Sequence, residues 1–198
     1  MIASGYLGTL SGTALLDRWH DPVRVFHSIQ HLVDVLARVD QLAEETHHPD
    51  LVRLAAWYHN SAYRPDVSPQ HNVTEIESAR IALAELRTLR VPEPVARRVH
   101  DLIVSLSRHI PPAEDLDAAV LSDADLAILA TAPQIYQEYA AKIRAEHAQL
   151  SAHQFRTARI GFVSAMLARP AIFHSAQGAA WENAARQNLE AELVRLRK

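Results

Sequence analysis

The chain has 198 residues, with 20 lysines and arginines against 23 aspartates and glutamates. That length suits one domain with a single sizeable core, and the charge balance gives no support to a nucleic-acid backbone or an anionic membrane as a partner. The absence of cysteine excludes disulfides, thiolate metal sites and cysteine nucleophiles.

We expect no targeting signal in the first part of the chain. The segment Met1–Leu16 lacks the basic start and long apolar run of a secretory leader. No stretch reaches the roughly 20 apolar residues of a membrane span. We therefore expect a cytoplasmic protein with no membrane partner.

Helical periodicity dominates the sequence, and strand-type alternation is absent over any useful length. From His27 onward, apolar residues recur at helical spacing and form one stripe, which consists of Ile29, Leu32, Val33, Leu36 and Val39. The apolar run Leu51–Tyr58 predicts a short buried helix. Its C-terminal end would deliver His59 and Asn60 to the interior.

The remaining elements are also predicted to be helices. After a proline-containing loop at 61–70, Asn72 and Glu75 form a capping-box-like start for a helix over Ile76–Leu89. Pro92 and Pro94 open the next helix, Val95–Ser107. Ser122 begins a further segment, and additional helices follow at roughly 133–147, 151–168 and 179–197. With no repeat, low-complexity tract or linker, residues 1–198 are predicted to form one all-α domain.

Potential metal ligands recur along this helical chain. They are His27 and His31, the pairs His59-Asn60 and Arg108-His109, and the run Asp123-Ala124-Asp125. Two histidines four residues apart lie on one side of a helix, about 40° apart at roughly 100° per residue. Imidazoles and carboxylates bind divalent ions. These residues are therefore of the types that form a divalent metal site.

This pattern resembles the HD superfamily of metal-dependent phosphohydrolases, all-helical proteins named for a His-Asp pair in the order H…HD…D. It is most similar to a bacterial branch of predicted HD-superfamily phosphohydrolases. The resemblance extends over nearly the whole chain and includes Arg24-Val25-Phe26-His27, Ala55-Ala56-Trp57-Tyr58-His59, Tyr63-Arg64-Pro65, Glu77-Ser78-Ala79, Asp123-Ala124-Asp125-Leu126, Tyr139, Ile143-Arg144-Ala145-Glu146, Phe155, Arg159 and Asn188-Leu189. It implies a single HD-type helical bundle.

The resemblance also implies a metal-ligand set. His31 matches the first ligand, His59 the second and Asp125 the last, with Asp123 as the weaker alternative. Asn60 stands where the family has the aspartate of its His-Asp pair, so it is counted with both the metal ligands and the catalytic residues.

Three further residues are candidates for the catalytic or substrate-binding site. His27 matches the general acid of the related cyclic-nucleotide phosphodiesterases. His109 falls where many relatives place a histidine for a second metal or for a phosphate oxygen. Arg24 is a candidate to hold phosphate, alongside His109.

Asparagine at position 60 changes the expected chemistry. A carboxylate has two anionic oxygens and can bridge two cations, whereas an amide offers one neutral carbonyl oxygen. We therefore expect at most one tightly bound divalent ion, of Mn, Mg, Fe, Co, Ni or Zn, and impaired activity. The lost negative charge also weakens metal affinity.

Each residue taken alone has a simpler interpretation. His27 and His31 could be half-buried helix histidines, and His59-Asn60 could simply end a helix. Asp125 could be the capping-box partner of Ser122. His109 could be a surface residue in a turn, and Arg24 could pair with an acidic neighbour.

Three functions fit the sequence. The first is a metal-dependent phosphohydrolase acting on a nucleotide or other small phosphate ester. The second is a non-catalytic relative that binds a nucleotide or phosphorylated metabolite. The third is iron-dependent oxidation, which the missing bridging carboxylate disfavours most. A small phosphorylated metabolite or nucleotide is thus the expected partner, and the sequence leaves the oligomeric state open.

Overall fold

The computed structural model describes residues 10–64 and 73–198, and every regular element in those ranges is a helix. The α-helices of this described part are α1 Leu10–Trp19, α2 Ile29–Gln41, α3 Pro49–Tyr58, α4 Val73–Thr88, α5 Glu93–Ser105, α6 Leu116–Leu126, α7 Pro133–Glu146, α8 Ala152–Leu167 and α9 Glu182–Leu196. Short 3-10 turns lie at Ala43–Glu45, Ala127–Ala130 and Gly178–Trp181. The predicted all-α fold class is confirmed.

Helix α2 carries the first predicted ligand on its buried face. Its buried residues are His31, Leu32, Val35 and Val39. Val33, which was predicted to belong to the core stripe, is 52% exposed. It lies about 100° around the helix from Leu32, on the side away from His31. The helix starts only after Ser28, so His27 lies outside it and the prediction that both histidines share one helix face is wrong.

Helix α3 confirms the predicted helix at Leu51–Tyr58, and it starts two residues earlier, at Pro49. Proline in its first turn suits a helix start, because the missing N–H would have no partner there. Five of its ten residues are buried, including Val52 and Ala55. His59 and Asn60 follow directly and are buried as well.

Helix α6 begins earlier than the sequence suggested. Asp115 is its N-cap and accepts a hydrogen bond from the main-chain N–H of Ala118. Ser122 therefore lies in the middle of the helix, and the interpretation of Asp125 as its capping partner is wrong. Because nearly every residue of α6 is buried, its sequence lacks the alternation of polar and apolar faces from which a helix start is predicted.

The other helices agree with their predicted positions within a few residues. Pro94 lies in the first turn of α5, and a Ser151–Gln154 capping box starts α8. The helices predicted at 133–147, 151–168 and 179–197 correspond to α7, α8 and α9. The predicted cap at Asn72 lies outside the described residues.

The apolar interior consists of two packed clusters. The first is built from α1 to α6 and includes Trp19, Leu32 and Leu121, and the second is built from residues 126–189 and includes Tyr136 and Val163. Trp181 packs against both clusters and so joins them.

Within residues 10–64 and 73–198, no single helix has the length and apolarity that crossing a membrane requires. Only Leu116–Ala130 taken together with Pro133–Glu146 reaches that composition, and these two segments are bent by 104° relative to each other.

Gly178 lies where the chain passes close to the side chain of Asp123. A Cβ atom at this position would overlap the Asp123 carboxylate and lie 2.7 Å from Ser175 Oγ. We expect Gly178→Ala to lower the free energy of unfolding by about 1–3 kcal/mol, because forced overpacking displaces its neighbours. Chemical denaturation measures this.

Gly161 in α8 is the matched control for that substitution. A Cβ atom there meets nothing within 4 Å. Gly161→Ala should therefore raise the stability by up to about 1 kcal/mol through helix propensity alone. Equal effects of the two substitutions would contradict the close packing at Gly178.

Candidate metal centre

Three ligand-bearing side chains from distant parts of the chain meet at one point. His31 lies in the first turn of α2, His59 directly follows α3, and Asp125 lies near the end of α6. Each offers one nitrogen or oxygen atom, and these atoms lie within 4.8 Å of one another. Their predicted convergence is confirmed, and the group could hold a metal ion.

The separations between these atoms match the edges of a coordination shell. His31 Nε2 lies 3.0 Å from Asp125 Oδ1 and 3.3 Å from His59 Nε2, and His59 Nε2 lies 3.4 Å from Asp125 Oδ1. Metal–ligand bonds of about 2.1 Å give ligand–ligand distances of about 3.0 Å in an octahedron and about 3.4 Å in a tetrahedron. The donor set therefore fits a divalent ion of the borderline, nitrogen-binding type.

The His59 ring is held in the tautomer that a metal ligand requires. Its Nδ1 donates a hydrogen bond to the main-chain oxygen of Ala56 at 2.6 Å. In the neutral ring, Nε2 then carries a lone pair and points toward Asp125 and His31. A hydrogen bond of this kind, behind the coordinating nitrogen, is typical of metal-binding histidines.

Charge in the group also favours a cation. Burial by itself would raise the pKa of Asp125, but the His59 and His31 rings hold it well below its usual range. Burial lowers the pKa of His31, whereas the Asp125 carboxylate outweighs burial and raises the pKa of His59. Asp125 is therefore an anion at neutral pH, placed between two imidazoles.

Asp123 has a different role from Asp125. It is fully buried and accepts hydrogen bonds from the main-chain N–H groups of His174 and Ser175, at 2.9 and 2.7 Å. Its carboxylate thus fixes the loop before α9. The structure brings Asp125, not Asp123, to the two histidines.

His109 adjoins the three ligands from a separate turn. Its Nε2 lies 3.6 Å from Asp125 Oδ2, and burial lowers its pKa to about 4. Its φ of 47° is left-handed, a conformation that costs a non-glycine residue roughly 1–2 kcal/mol. Arg169 donates hydrogen bonds to the carbonyls of Arg108 and His109 and so holds this turn. His109 is a neutral imidazole aimed at the site.

His27 lies beside His31 and is held by a carboxylate that the sequence analysis had not assigned to the site. Glu146 Oε2 lies 2.8 Å from His27 Nδ1, and Oε1 accepts the main-chain N–H groups of Phe26 and His27 at 2.7 and 2.8 Å. The centroids of the His27 and His31 rings are 5.6 Å apart. Because Glu146 accepts at Nδ1, the second nitrogen, Nε2, is the one left for chemistry.

Tyr63 completes the environment of His27. Its hydroxyl donates to Glu146 at 2.9 Å, and its ring centroid lies 4.1 Å from that of His27. The His27, Tyr63 and main-chain donors lower the pKa of Glu146 to about 2 despite its burial. Glu146 is thus an anion that fixes the orientation of the His27 ring.

Arg24 contacts main-chain carbonyls instead of an acidic neighbour. Its two Nη atoms donate to the carbonyl oxygens of Asn60 at 2.8 Å, His27 and Tyr63 at 3.3 Å, and Ser61 at 3.4 Å. The guanidinium therefore ties the segment before α2 to the turn that follows His59. A contact of Arg24 with substrate phosphate stays a prediction.

Asn60 and Glu75 add to the surroundings of the three ligands. Asn60 is buried, and its main-chain carbonyl oxygen accepts the Arg24 hydrogen bond. Burial raises the pKa of Glu75, the Asp125 charge raises it further, and the His59 and His27 rings lower it. Glu75 is therefore an acidic neighbour of the centre, although in the sequence it was assigned only to a helix cap.

The sequence does contain a signal for Glu146. Tyr136, Tyr139, Ile143 and Glu146 recur at helical spacing, and all four are buried. A carboxylate on a buried helix face needs partners, because an isolated buried charge is costly. Its position therefore indicates a polar network, but the spacing alone does not identify His27 as the partner.

Comparison with family models, curated proteins and solved structures found no match.

Proposed function

We propose that the chain is a metal-dependent phosphohydrolase of the HD type, acting on a nucleotide or another small phosphate ester. The main support is the group formed by His31, His59 and Asp125, whose separations of 3.0–3.4 Å fit one divalent ion. Such an ion would generate a nucleophilic water near neutral pH and offset charge on the phosphoryl oxygens.

The residues around the group have separate tasks in this proposal. His27, with Nδ1 held by Glu146, donates the proton on Nε2 to the departing alkoxide as a general acid. His109, neutral at pH 7, donates one hydrogen bond to a phosphoryl oxygen. Arg24 fixes the His27 segment relative to the His59-Asn60 turn, because it donates hydrogen bonds to the main-chain carbonyls of His27 and Asn60.

A non-catalytic protein that binds a nucleotide or phosphorylated metabolite is the second candidate. The neutral amide of Asn60 favours it, because the site then lacks the carboxylate that would bridge two cations or position a water. The same lack counts against a carboxylate-bridged di-iron oxidase.

Metal content provides the direct test. The purified protein should retain at most one Mn, Fe, Co, Ni, Zn or Mg ion per chain, measured by elemental analysis, and should hydrolyse a panel of small phosphate esters only when loaded. His59→Ala should weaken the affinity at least about 100-fold, since loss of an outer partner alone costs 10- to 100-fold.

His153→Ala is the matched control for metal binding, because that histidine is exposed. It should leave the metal content unchanged. Two ions per chain would show that the amide at position 60 does not limit occupancy. Unchanged metal affinity in His59→Ala would rule out the proposed centre.

A further inference from the structure

A cavity of about 440 Å³ lies outside the group formed by His31, His59 and Asp125. It is bounded by the segment 18–24, the turn 61–64 and the first turns of α4, and none of His31, His59 and Asp125 lines it. Cavities of a few hundred Å³ accommodate small metabolites.

The wall of this cavity is rich in cationic donors. Arg18, Arg24 and Arg64 line it, against the carboxylates Asp21 and Glu77. Both carboxylates already accept protein hydrogen bonds, Asp21 from the main-chain N–H of Val23 and Glu77 from Arg80. Arg18 also lies 3.7 Å from Glu85. With Arg80 and Glu85 counted, four arginines face three carboxylates, and this excess of one positive charge favours an anionic occupant.

Two buried polar atoms of residues that line this cavity have no hydrogen-bond partner. They are Arg24 Nε and Ser61 Oγ, and they are the only such side-chain atoms found among the described residues. Arg24 is 7% exposed and Ser61 is 3% exposed. A buried donor without a partner costs about 1–3 kcal/mol, and such atoms often mark the place of a water or ion. Both atoms are donors, so an occupant that supplies acceptor oxygens would satisfy them.

We propose that this cavity binds a small phosphorylated molecule, whose phosphoryl oxygens accept hydrogen bonds from Arg18, Arg64, Ser61 Oγ and Arg24 Nε. A phosphoryl group suits these donors better than a carboxylate does, because its tetrahedral oxygens can accept from several directions at once and arginine binds it through paired N–H groups. Since Arg24 Nε and Ser61 Oγ are both buried, binding requires a small movement of the turn 61–64.

The same arginine connects this cavity to the metal centre. Its Nη atoms donate to the main-chain carbonyls of Asn60 and His27, while its Nε has no protein partner. A ligand that accepts a hydrogen bond from Arg24 Nε therefore restrains the turn that follows His59. This binding site does not depend on whether the metal centre hydrolyses phosphate esters.

Metal-free protein kept in chelator tests the proposal with inorganic phosphate as the probe. Titration calorimetry should show saturable binding over chloride at equal ionic strength, and ¹⁵N amide signals of residues 60–64 should shift. Acetate should bind more weakly. Arg64→Ala should weaken phosphate binding at least about tenfold, as expected for loss of a charge-assisted hydrogen bond.

Ser61→Ala separates binding from folding. It should weaken phosphate binding about threefold or more, yet leave the thermal midpoint unchanged or higher, because it removes a buried hydroxyl that has no partner. Arg97→Ala, at an exposed arginine whose ion-pair partner is Glu93, is the control and should bind phosphate as the wild type does.

Three results would overturn the proposal. These are no saturable phosphate binding by the metal-free protein, equal affinity in Arg64→Ala and the wild type, or binding that appears only after metal is added. The last result would place the phosphate at the metal centre and would leave the proposed hydrolase function intact.

Discussion

Asn60→Asp is expected to raise the divalent-metal affinity of the His31, His59 and Asp125 group by at least about tenfold, and turnover of a small phosphate ester with it. The substitution adds an anionic ligand directly after His59, which attracts the cation and can position a water. Calorimetric titration of metal-free protein and a phosphate-ester assay measure the two effects.

Stability gives a second readout of the same substitution. A further carboxylate in the buried turn after His59 adds repulsion with Asp125, so the metal-free variant should unfold at a lower temperature. Metal should restore the loss and produce a larger increase in the midpoint than in the wild type, because tighter binding to the folded state stabilises it more.

Asn183→Asp is the charge-matched control, since Asn183 is exposed on α9. It should change neither metal affinity nor turnover. If Asn60→Asp binds metal tightly but hydrolyses nothing across a broad panel of phosphate esters, the non-catalytic binding function becomes the better description.

The sequence predicts helices well where one face is polar and poorly where none is. Helices α3 and α8 start at recognisable signals, proline in the first turn and a Ser151–Gln154 capping box. Helix α6 is buried on nearly every side, so its polar residues Ser122 and Asp123 resemble a helix start although they lie inside the helix. Burial here removes the periodicity on which sequence reasoning depends.

The three ligands were predictable and their supports were not. Residue type predicts a divalent metal site, and the resemblance in the order of the ligands selects His31, His59 and Asp125 from the available histidines and aspartates. The contacts of Glu146 with His27 and of Arg24 with the Asn60 carbonyl join residues 119 and 36 positions apart. Sequence spacing carries no information about such pairs, since packing of the two apolar clusters sets them.

The contact between Glu146 and His27 shows how the two apolar clusters together form the site. Glu146 comes from α7, whose buried residues belong to the second apolar cluster, and it holds a histidine next to α2 of the first cluster. His59 and Asp125 both come from the first cluster's helices. The position of His27 relative to the ligands therefore depends on how the two clusters pack together.

His27→Ala is expected to lower turnover by about 100-fold or more while leaving the metal content unchanged, because a general acid protonates the leaving group and does not hold the ion. Glu146→Gln should act in the same direction. The amide cannot accept every hydrogen bond that the carboxylate accepts, so the His27 ring is no longer fixed with Nδ1 protonated.

The leaving group distinguishes this effect from general damage. A 4-nitrophenyl ester has a leaving group that needs little protonation, so it should lose much less activity than an alkyl ester in both variants. Combining the variants should cost no more than His27→Ala alone, because Glu146 acts through His27. The ¹⁵N shifts of the His27 ring report its tautomer even without turnover, in the wild type and in Glu146→Gln.

Glu45→Gln is the matched control for loss of a carboxylate that holds a loop. Glu45 accepts the main-chain N–H groups of Ala176 and Gln177, at 2.6 and 2.7 Å, much as Glu146 accepts those of Phe26 and His27. Its replacement should cost stability but should affect the alkyl and 4-nitrophenyl esters equally. If Glu146→Gln also affects both esters equally and leaves the His27 tautomer unchanged, Glu146 only stabilises the fold and does not position the acid.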